Sequence, residues 1–313
     1  MGEQICLKKL KSTRDYEPKE VDLFERLHDD LVISILCKLS SSSESPSDFI
    51  SSRITCKRMY ELCRNPIVLA KASPETFVRA KNWSESGRAY LVDCAKAGNV
   101  EACYTYGMIL FYCFEYRKIG QSLIARAANQ SHAAAMYSLA VIKLNGSGGA
   151  DRRAGVILCH QAACLGHINA LREFGHCLQD GYGISQNIPK GRQFLYIANT
   201  RDNSGSCGLL KDVGRNLLSN YRHPVNQFLT DWYSMQELGQ GLRLCSNMGC
   251  GKPETTPHQF RRCAMCFEVN YCSRGCQMCD WKLRHKAECS QFDVDEVEVM
   301  LEEAVPEEAA GDT

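Results

Sequence analysis

AKAGNVEACYTYG (residues 95–107), ANQSHAAAMYSLA (128–140) and ACLGHINALREFG (163–175) are three versions of one frame. Each opens on Ala (Ala95, Ala128, Ala163) and has a Gly or small residue at offset three (Gly98, Ser131, Gly166). Ala returns at offset seven (Ala102, Ala135, Ala170), an aromatic or Leu stands at offset eleven (Tyr106, Leu139, Phe174), and Gly or Ala follows at once (Gly107, Ala140, Gly175). The frames start 33 and 35 residues apart, a period that marks stacked helix pairs. Small residues at fixed offsets let helices approach closely, and each pair buries its open face only against the next. Gly146-Ser147-Gly148-Gly149 and Gly181-Tyr182-Gly183 supply turns after the second and third frames. The expected fold is mostly α, with a helical solenoid at its centre.

Upstream, Leu31, Val32, Ile35, Leu36 and Leu39 recur at helical spacing behind Asp29 and Asp30, which suit the start of a helix. A Ser-rich turn from Ser40 to Pro46 separates this helix from a second apolar pattern, Phe49, Ile50, Ile54, Met59 and Leu62, before Pro66. Downstream, Leu209–Leu218 and Phe228–Leu238 read as helices closing the array. The division is a basic flexible arm over 1–20, a helical unit over 21–75, repeats over 76–200, cap and linker over 201–240, a cysteine-rich unit over 241–290 and a solvated acidic tail over 291–313. That tail carries nine acidic residues after Ser290 and no basic one.

The 313 residues include 19 Cys, of which eight fall between Cys245 and Cys289. The N-terminus has no apolar signal segment and no stretch approaches the length of a membrane helix, so we expect an intracellular protein of the nucleus or cytoplasm, without a membrane partner. In a reducing compartment a dense Cys cluster points to metal rather than disulfides. Cys245-x4-Cys250, Cys263-x2-Cys266, Cys272-x3-Cys276 and His285-x3-Cys289 give eight soft ligands in four pairs, enough for two tetrahedral zinc ions. Cys279, three residues after Cys276, leaves a second way of choosing the third pair open. With every coordination position filled by protein, neither ion can activate water, so both are structural.

The ligand pairs, with Tyr271-Cys272-Ser273, Cys276-Gln277 and Asp280-Trp281, resemble a MYND-type zinc finger. The resemblance implies alternating pairs: Cys245, Cys250, Cys272 and Cys276 on one ion, Cys263, Cys266, His285 and Cys289 on the other. It also implies a protein-interaction module in which Gln277 and Trp281 meet an extended peptide. The histidine stands seventh in the ligand order, unlike a RING finger, so direct recruitment of a ubiquitin-conjugating enzyme by the finger is not expected.

Residues 27–69, with Asp30-Leu31-Val32, Ile35-Leu36, Leu39, Phe49, Cys56-Lys57-Arg58 and Pro66, resemble an F-box. That implies docking on a Skp-type adaptor of a cullin ligase through Leu27, Leu31, Val32, Ile35, Leu36 and Leu39. The Ala95, Ala128 and Ala163 frames resemble Sel1-like repeats, and the order of the three modules is similar to that of plant F-box proteins with a MYND-type finger. The resemblance implies a substrate-recognition subunit of a Skp-cullin-F-box ubiquitin ligase, holding an unknown target protein by its repeats and finger. The alternative is a non-ligase interaction adaptor that uses the finger.

No nucleophile elbow, Walker A loop, Rossmann fingerprint or His-Glu-x-x-His pair is present, and the expectation is a non-catalytic chain. A net charge of +1 gives no reason to expect nucleic acid, and Glu254, Glu268, Asp280 and Glu288 interrupt the basic residues of the finger. His160, His167 and His176 read as packed or exposed side chains of the repeats rather than ligands.

Overall fold

The structure is a computed structural model that describes residues 26–204, 223–236, 238, 239 and 241–290. The arm over 1–20, the helix expected at Leu209–Leu218 and the acidic tail lie outside these residues. The N-terminal unit consists of α1 (Asp29–Ser42), α2 (Pro46–Arg53), α3 (Lys57–Cys63) and the short α4 (Pro66–Leu69). Asp29 and Asp30 sit in the first turn of α1, where the helix dipole favours them. At the start of α2, Asp48 reaches back to accept the Ser45 backbone N–H at 2.9 Å, and between them stands Pro46, whose missing N–H costs nothing at that position. The unit closes its own small core from Val32, Leu36, Phe49, Cys63 and Val68.

This core corrects part of the adaptor-facing set. Val32 and Leu36 are each 1% exposed, whereas Leu31 and Ile35 are 54% and 44% exposed. The stripes 31/35 and 32/36 lie side by side on one helix, and only the second is turned inward. Val32 and Leu36 therefore hold the unit together and present nothing to a partner. Leu27 and Leu39 are half-buried against the same core.

The repeats form α5 (Glu85–Lys96) with α6 (Val100–Tyr112), α7 (Arg117–Asn129) with α8 (Ala133–Asn145), and α9 (Arg152–Cys164) with α10 (Ile168–Asp180), followed by α11 (Ile188–Ser204). Each frame spans the end of a first helix, a tight turn and the start of a second. The opening Ala and the Ala at offset seven are buried in all three pairs. The small residue at offset three has another reason to be small: Gly98, Ser131 and Gly166 have φ of 91°, 62° and 89°, the left-handed region that carries the chain between helices. The next residue, Asn99, His132 or His167, caps the second helix by accepting a backbone N–H from Ala102, Ala135 or Ala170. The Asn99 amide also donates to the carbonyls of Leu69, Ala70 and Ala72, fixing the N-terminal unit to the array.

Close approach occurs where the second helix of one pair meets the helix that follows. A Cβ on Gly120 would lie 2.6 Å from the Phe111 backbone N, and one on Gly191 would lie 2.7 Å from the Gly175 carbonyl. Gly155 opposes Ala140 in the same way.

The region assigned to cap and linker contains α12 (Pro224–Ser234), four residues upstream of the expected helix because His223 and Pro224 start it. It returns to the first pair. Phe228 and Trp232 pack with Trp83 and Phe114 at ring separations of 5.4–6.4 Å. Beyond it, β1 (Arg261–Arg262) pairs antiparallel with β2 (Asn270–Tyr271), and α13 (Arg274–Asp280) continues into a π-helical turn, Trp281–His285. No helix among the described residues is long and apolar enough to cross a membrane.

Candidate metal centres

Local backbone geometry presents the ligands in pairs. The Cys250 N–H bonds to the Asn247 carbonyl, and the Phe267 N–H bonds to that of Cys263, closing turns at the first two pairs. Ser273 caps α13 by accepting the Cys276 N–H, which places Cys272 and Cys276 around the start of that helix. The π-helical turn carries His285 to the second set. Cys245, Cys250, Cys272 and Cys276 form one cluster and Cys263, Cys266, His285 and Cys289 the other, with the ligand atoms of each within 4.8 Å of one another. Cys276, rather than Cys279, belongs to the first cluster.

These separations suit zinc. Tetrahedral Zn–S bonds of about 2.3 Å put neighbouring sulfurs about 3.8 Å apart. Cys250 and Cys272 sulfurs are 3.6 Å apart, those of Cys272 and Cys276 3.5 Å, and those of Cys263 and Cys289 3.9 Å. The Cys266 sulfur stands 3.5 Å from His285 Nε2. Burial acts to raise the Cys263 thiol, but backbone hydrogen bonds from Cys266 and Met265 and the bond to His285 bring it down to about 6. Two ions, held by four sulfurs and by three sulfurs and one imidazole, fit the donor sets. Each would supply structural cross-linking and no open position for catalysis.

Buried polar groups brace the two centres. Glu254 receives a two-pronged pair of hydrogen bonds from Arg243, each 3.0 Å long, and the Phe260 N–H at 2.8 Å. Burial works against its charge, yet the Arg243 contact holds its carboxyl below the usual range. Asp280 accepts the Tyr271 hydroxyl at 2.8 Å and Arg284 at 2.7 Å. Trp281 is half-buried with its ring 5.6 Å from that of the ligand His285, edge to face. Gln277 is also half-buried.

The sequence gives no sign that the finger is seated in the solenoid. Its first ligand cluster shares one core with Tyr137, Ala140, Val141, Phe174 and Leu178 of α8 and α10. The Tyr137 hydroxyl lies 3.0 Å from that of Ser273, and Arg117 donates to the Thr255 carbonyl at 2.9 Å. Arg274 pairs with Asp180 at 2.9 Å, and a Cβ on Gly275 would meet the Tyr137 hydroxyl at 2.9 Å. On the other side, Gly251 lies against α12, where a Cβ would be 2.6 Å from the Asn226 carbonyl. The face lined by the second helices is thus filled by the finger and α12.

A third cluster joins Glu101 to His132 Nε2 at 2.8 Å and to His223 Nε2 at 3.0 Å. It lacks the arrangement of a metal site. Both Nδ1 atoms accept backbone N–H groups, from Ala135 and Val225, so the protons lie on Nε2 and point at the carboxylate, where a metal would have to bind. Burial pushes Glu101 upward, but the two imidazole hydrogen bonds outweigh it and hold the carboxyl at about 2. The signal for this cluster was the position of His132 one residue after the turn, where a helix cap belongs. His160, His167 and His176 join no ligand cluster among the described residues.

Comparison with known proteins finds family models for the repeats and the finger and relatives over most of the chain. A family model described as Plant tetratrico peptide repeats matches residues 74–173, and the MYND finger model matches residues 245–289. The F-box protein At1g67340 of Arabidopsis thaliana is 52% identical over 306 residues, covering 86% of this chain and 81% of that protein. A second Arabidopsis thaliana F-box protein, At5g50450, is 50% identical over 291 residues, covering 87% and 86%. The solved Sel1 repeat protein from Oxalobacter formigenes is similar over 63% of this chain and 84% of its own, at 14% identity and a TM-score of 0.40.

Proposed function

The chain belongs to the family of plant F-box proteins with a MYND finger, and from that premise we propose that it is the substrate-recognition subunit of a Skp-cullin-F-box ubiquitin ligase. The observation that carries this reading is the exposed row Leu31 and Ile35 on α1, with Ile50, Ile54 and Ile67 also exposed, on a unit whose core is already closed. Apolar side chains left outside a finished core mark a contact surface. Leu31 and Ile35, flanked by Leu27 and Leu39, are the adaptor-facing residues in this reading.

The target is a protein whose extended segment meets the outer side of the finger at Gln277 and Trp281, alongside the outer helices of the repeats. The face lined by the second helices is already filled, which supports this assignment over a ligand held inside the array. The chain supplies no acid, base or nucleophile. It raises the local concentration of a target lysine near a loaded conjugating enzyme brought by other subunits, in the nucleus or cytoplasm.

The test is binding of the full chain to a purified Skp-type adaptor, comparing the native protein with Leu31→Asp/Ile35→Asp. Neither residue belongs to the core, so the variant should keep two zinc ions per chain and lose the adaptor. Adaptor binding retained by the variant sinks the assigned surface. No binding by the folded native chain would leave the non-ligase adaptor reading.

A further inference from the structure

The ring of Tyr182, in the turn after α10, lies between two guanidinium groups from different modules. The Cζ of Arg152, at the start of α9, is 5.0 Å from the ring centre, and that of Arg261, in β1 of the finger, is 5.7 Å from it. The tyrosine is fixed in place. Its hydroxyl donates to the Leu144 carbonyl at 3.0 Å, and a Cβ on the next residue, Gly183, would lie 2.8 Å from the Arg152 carbonyl. Arg152 and Arg261 are exposed, as are their chain neighbours Arg153 and Arg262. None of the four forms an ion pair among the described residues. The acidic residues of α9 and α10 are engaged elsewhere: Asp151 caps α9 by accepting the Ala154 N–H at 2.9 Å, Glu173 accepts the Gly275 N–H at 2.8 Å, and Asp180 pairs with Arg274 at 2.9 Å. The aromatic face favours both cations but carries no net charge. A cationic strip thus crosses the seam between the third repeat pair and the finger.

The strip begins where the chain leaves the finger. Cys263 directly follows Arg262, and its sulfur is 3.9 Å from that of Cys289. Ser290 is the last described residue, so residues 291–313 depart beside β1. They hold nine acidic residues and no basic one, and four of the nine, Asp293, Asp295, Glu296 and Glu298, fall within 291–298. Eight residues reach about 26 Å when extended, which carries them past Arg261. A segment tethered this closely has an effective concentration in the millimolar range, so a contact of only about 0.1 mM free affinity holds it about nine-tenths of the time.

We propose that residues 291–298 dock on the Arg152, Tyr182 and Arg261 strip. The acidic segment then straps the finger to the third repeat pair and shields the strip from acidic segments of other proteins. Its carboxylates meet guanidinium groups that no carboxylate of the described fold satisfies. The contact is electrostatic and exposed, so salt screens it. It stands whether or not the chain docks on an adaptor.

The test is limited digestion of the full, zinc-loaded chain with a protease that cuts after glutamate, read by mass spectrometry. Cuts after Glu296 and Glu298 report the docked part, and cuts after Glu307 and Glu308 are the internal standard, each rate being divided by that in a free peptide of residues 291–313. At low salt the first pair should be cut about tenfold more slowly than the second, from the occupancy above. The protection should fade towards about 1 M salt, where the Debye length is about 3 Å. Arg152→Glu/Arg261→Glu should abolish it at low salt, and Arg152→Lys/Arg261→Lys should keep part of it. Equal rates at both ends of the native segment overturn the proposal and leave the strip to an acidic segment of another protein. Protection that charge reversal does not change overturns it too, since that would be mere crowding by the finger. Should the charge-reversed chain fail to fold, the native salt series decides, and protection that survives about 1 M salt overturns the proposal.

Discussion

The carboxylate of Glu173, buried on α10, accepts the backbone N–H of Gly275 in the finger at 2.8 Å. A residue of the third repeat pair thus satisfies a donor at the start of α13, the helix that presents Cys276. Burial pushes the Glu173 carboxyl above its usual range, and the Gly275 N–H and Arg261 pull the other way. The finger's backbone is completed by the solenoid.

Glu173→Ala leaves that N–H without a partner inside a dry contact, which costs about 1–3 kcal/mol. Glu173→Gln keeps an acceptor and should lose less. Denaturant unfolding of the zinc-loaded chain measures both, and equal stability of Glu173→Ala and the native protein would refute the contact's importance.

Leu36 and Leu31 should separate folding from binding. Leu36→Ala empties part of the closed core of Val32, Phe49, Cys63 and Val68 and should cost about 2–5 kcal/mol. Leu31→Ala, at a surface position, should stay within about 0.5 kcal/mol. Thermal melts of the two variants, alongside adaptor binding, check the pair: only Leu31→Ala should weaken binding while leaving the melt in place.

Ser131 stands at φ 62° where its counterparts are Gly98 and Gly166. Ser131→Gly relieves the left-handed strain on a side chain and should raise stability by about 0.5–1 kcal/mol. Gly166→Ala, the reverse change in the next repeat, should lower it. A matched shift of denaturation midpoints in opposite directions is the expected result; two shifts of the same sign would contradict the role of offset three.

Glu101 gives an acid limb to stability. Its carboxyl is held at about 2 in the folded chain against about 4.3 in an unfolded one. The depressed folded value means that the contribution is present in full above the unfolded value and is lost as pH falls from there towards 2. Glu101 is partly exposed, so about 2 kcal/mol remains after solvent screening. Because acid also protonates zinc ligands, the measurement is the stability difference between native protein and Glu101→Gln. It should be constant from pH 7 to about 5 and shrink below that. A difference that grows on acidification would reverse the sign and discard the assignment.

The zinc ligands were legible because tetrahedral coordination imposes short spacings that survive in sequence, and the helical period was legible for the same reason within each frame. Other features were hidden. The small residues at offset three fit close helix packing by pattern alone, yet a left-handed turn selects the same small side chains. The partners of Gly107, Ala140 and Gly175 are Gly120, Gly155 and Gly191, which follow after 13, 15 and 16 residues. Turns of different length separate them, so no constant offset reveals them. Periodicity could not choose between the 31/35 and 32/36 stripes, since both are apolar. Seating of the finger rests on contacts more than a hundred residues apart, such as Tyr137 with Ser273, to which local pattern is blind.

The return of Pro224–Ser234 to the first pair also bears on how such a protein can change over generations. Solenoids ordinarily gain or lose length by duplicating a unit, because each unit touches only its neighbours. Here α12 holds the first pair through Trp83, Phe114 and Trp232, while the finger holds the second and third through Tyr137 and Glu173. An inserted pair would move one of these anchor points away from the others and break a contact on which the finger's ligands depend. Both anchors therefore fit the spacing of these three pairs and would not fit an array lengthened between them.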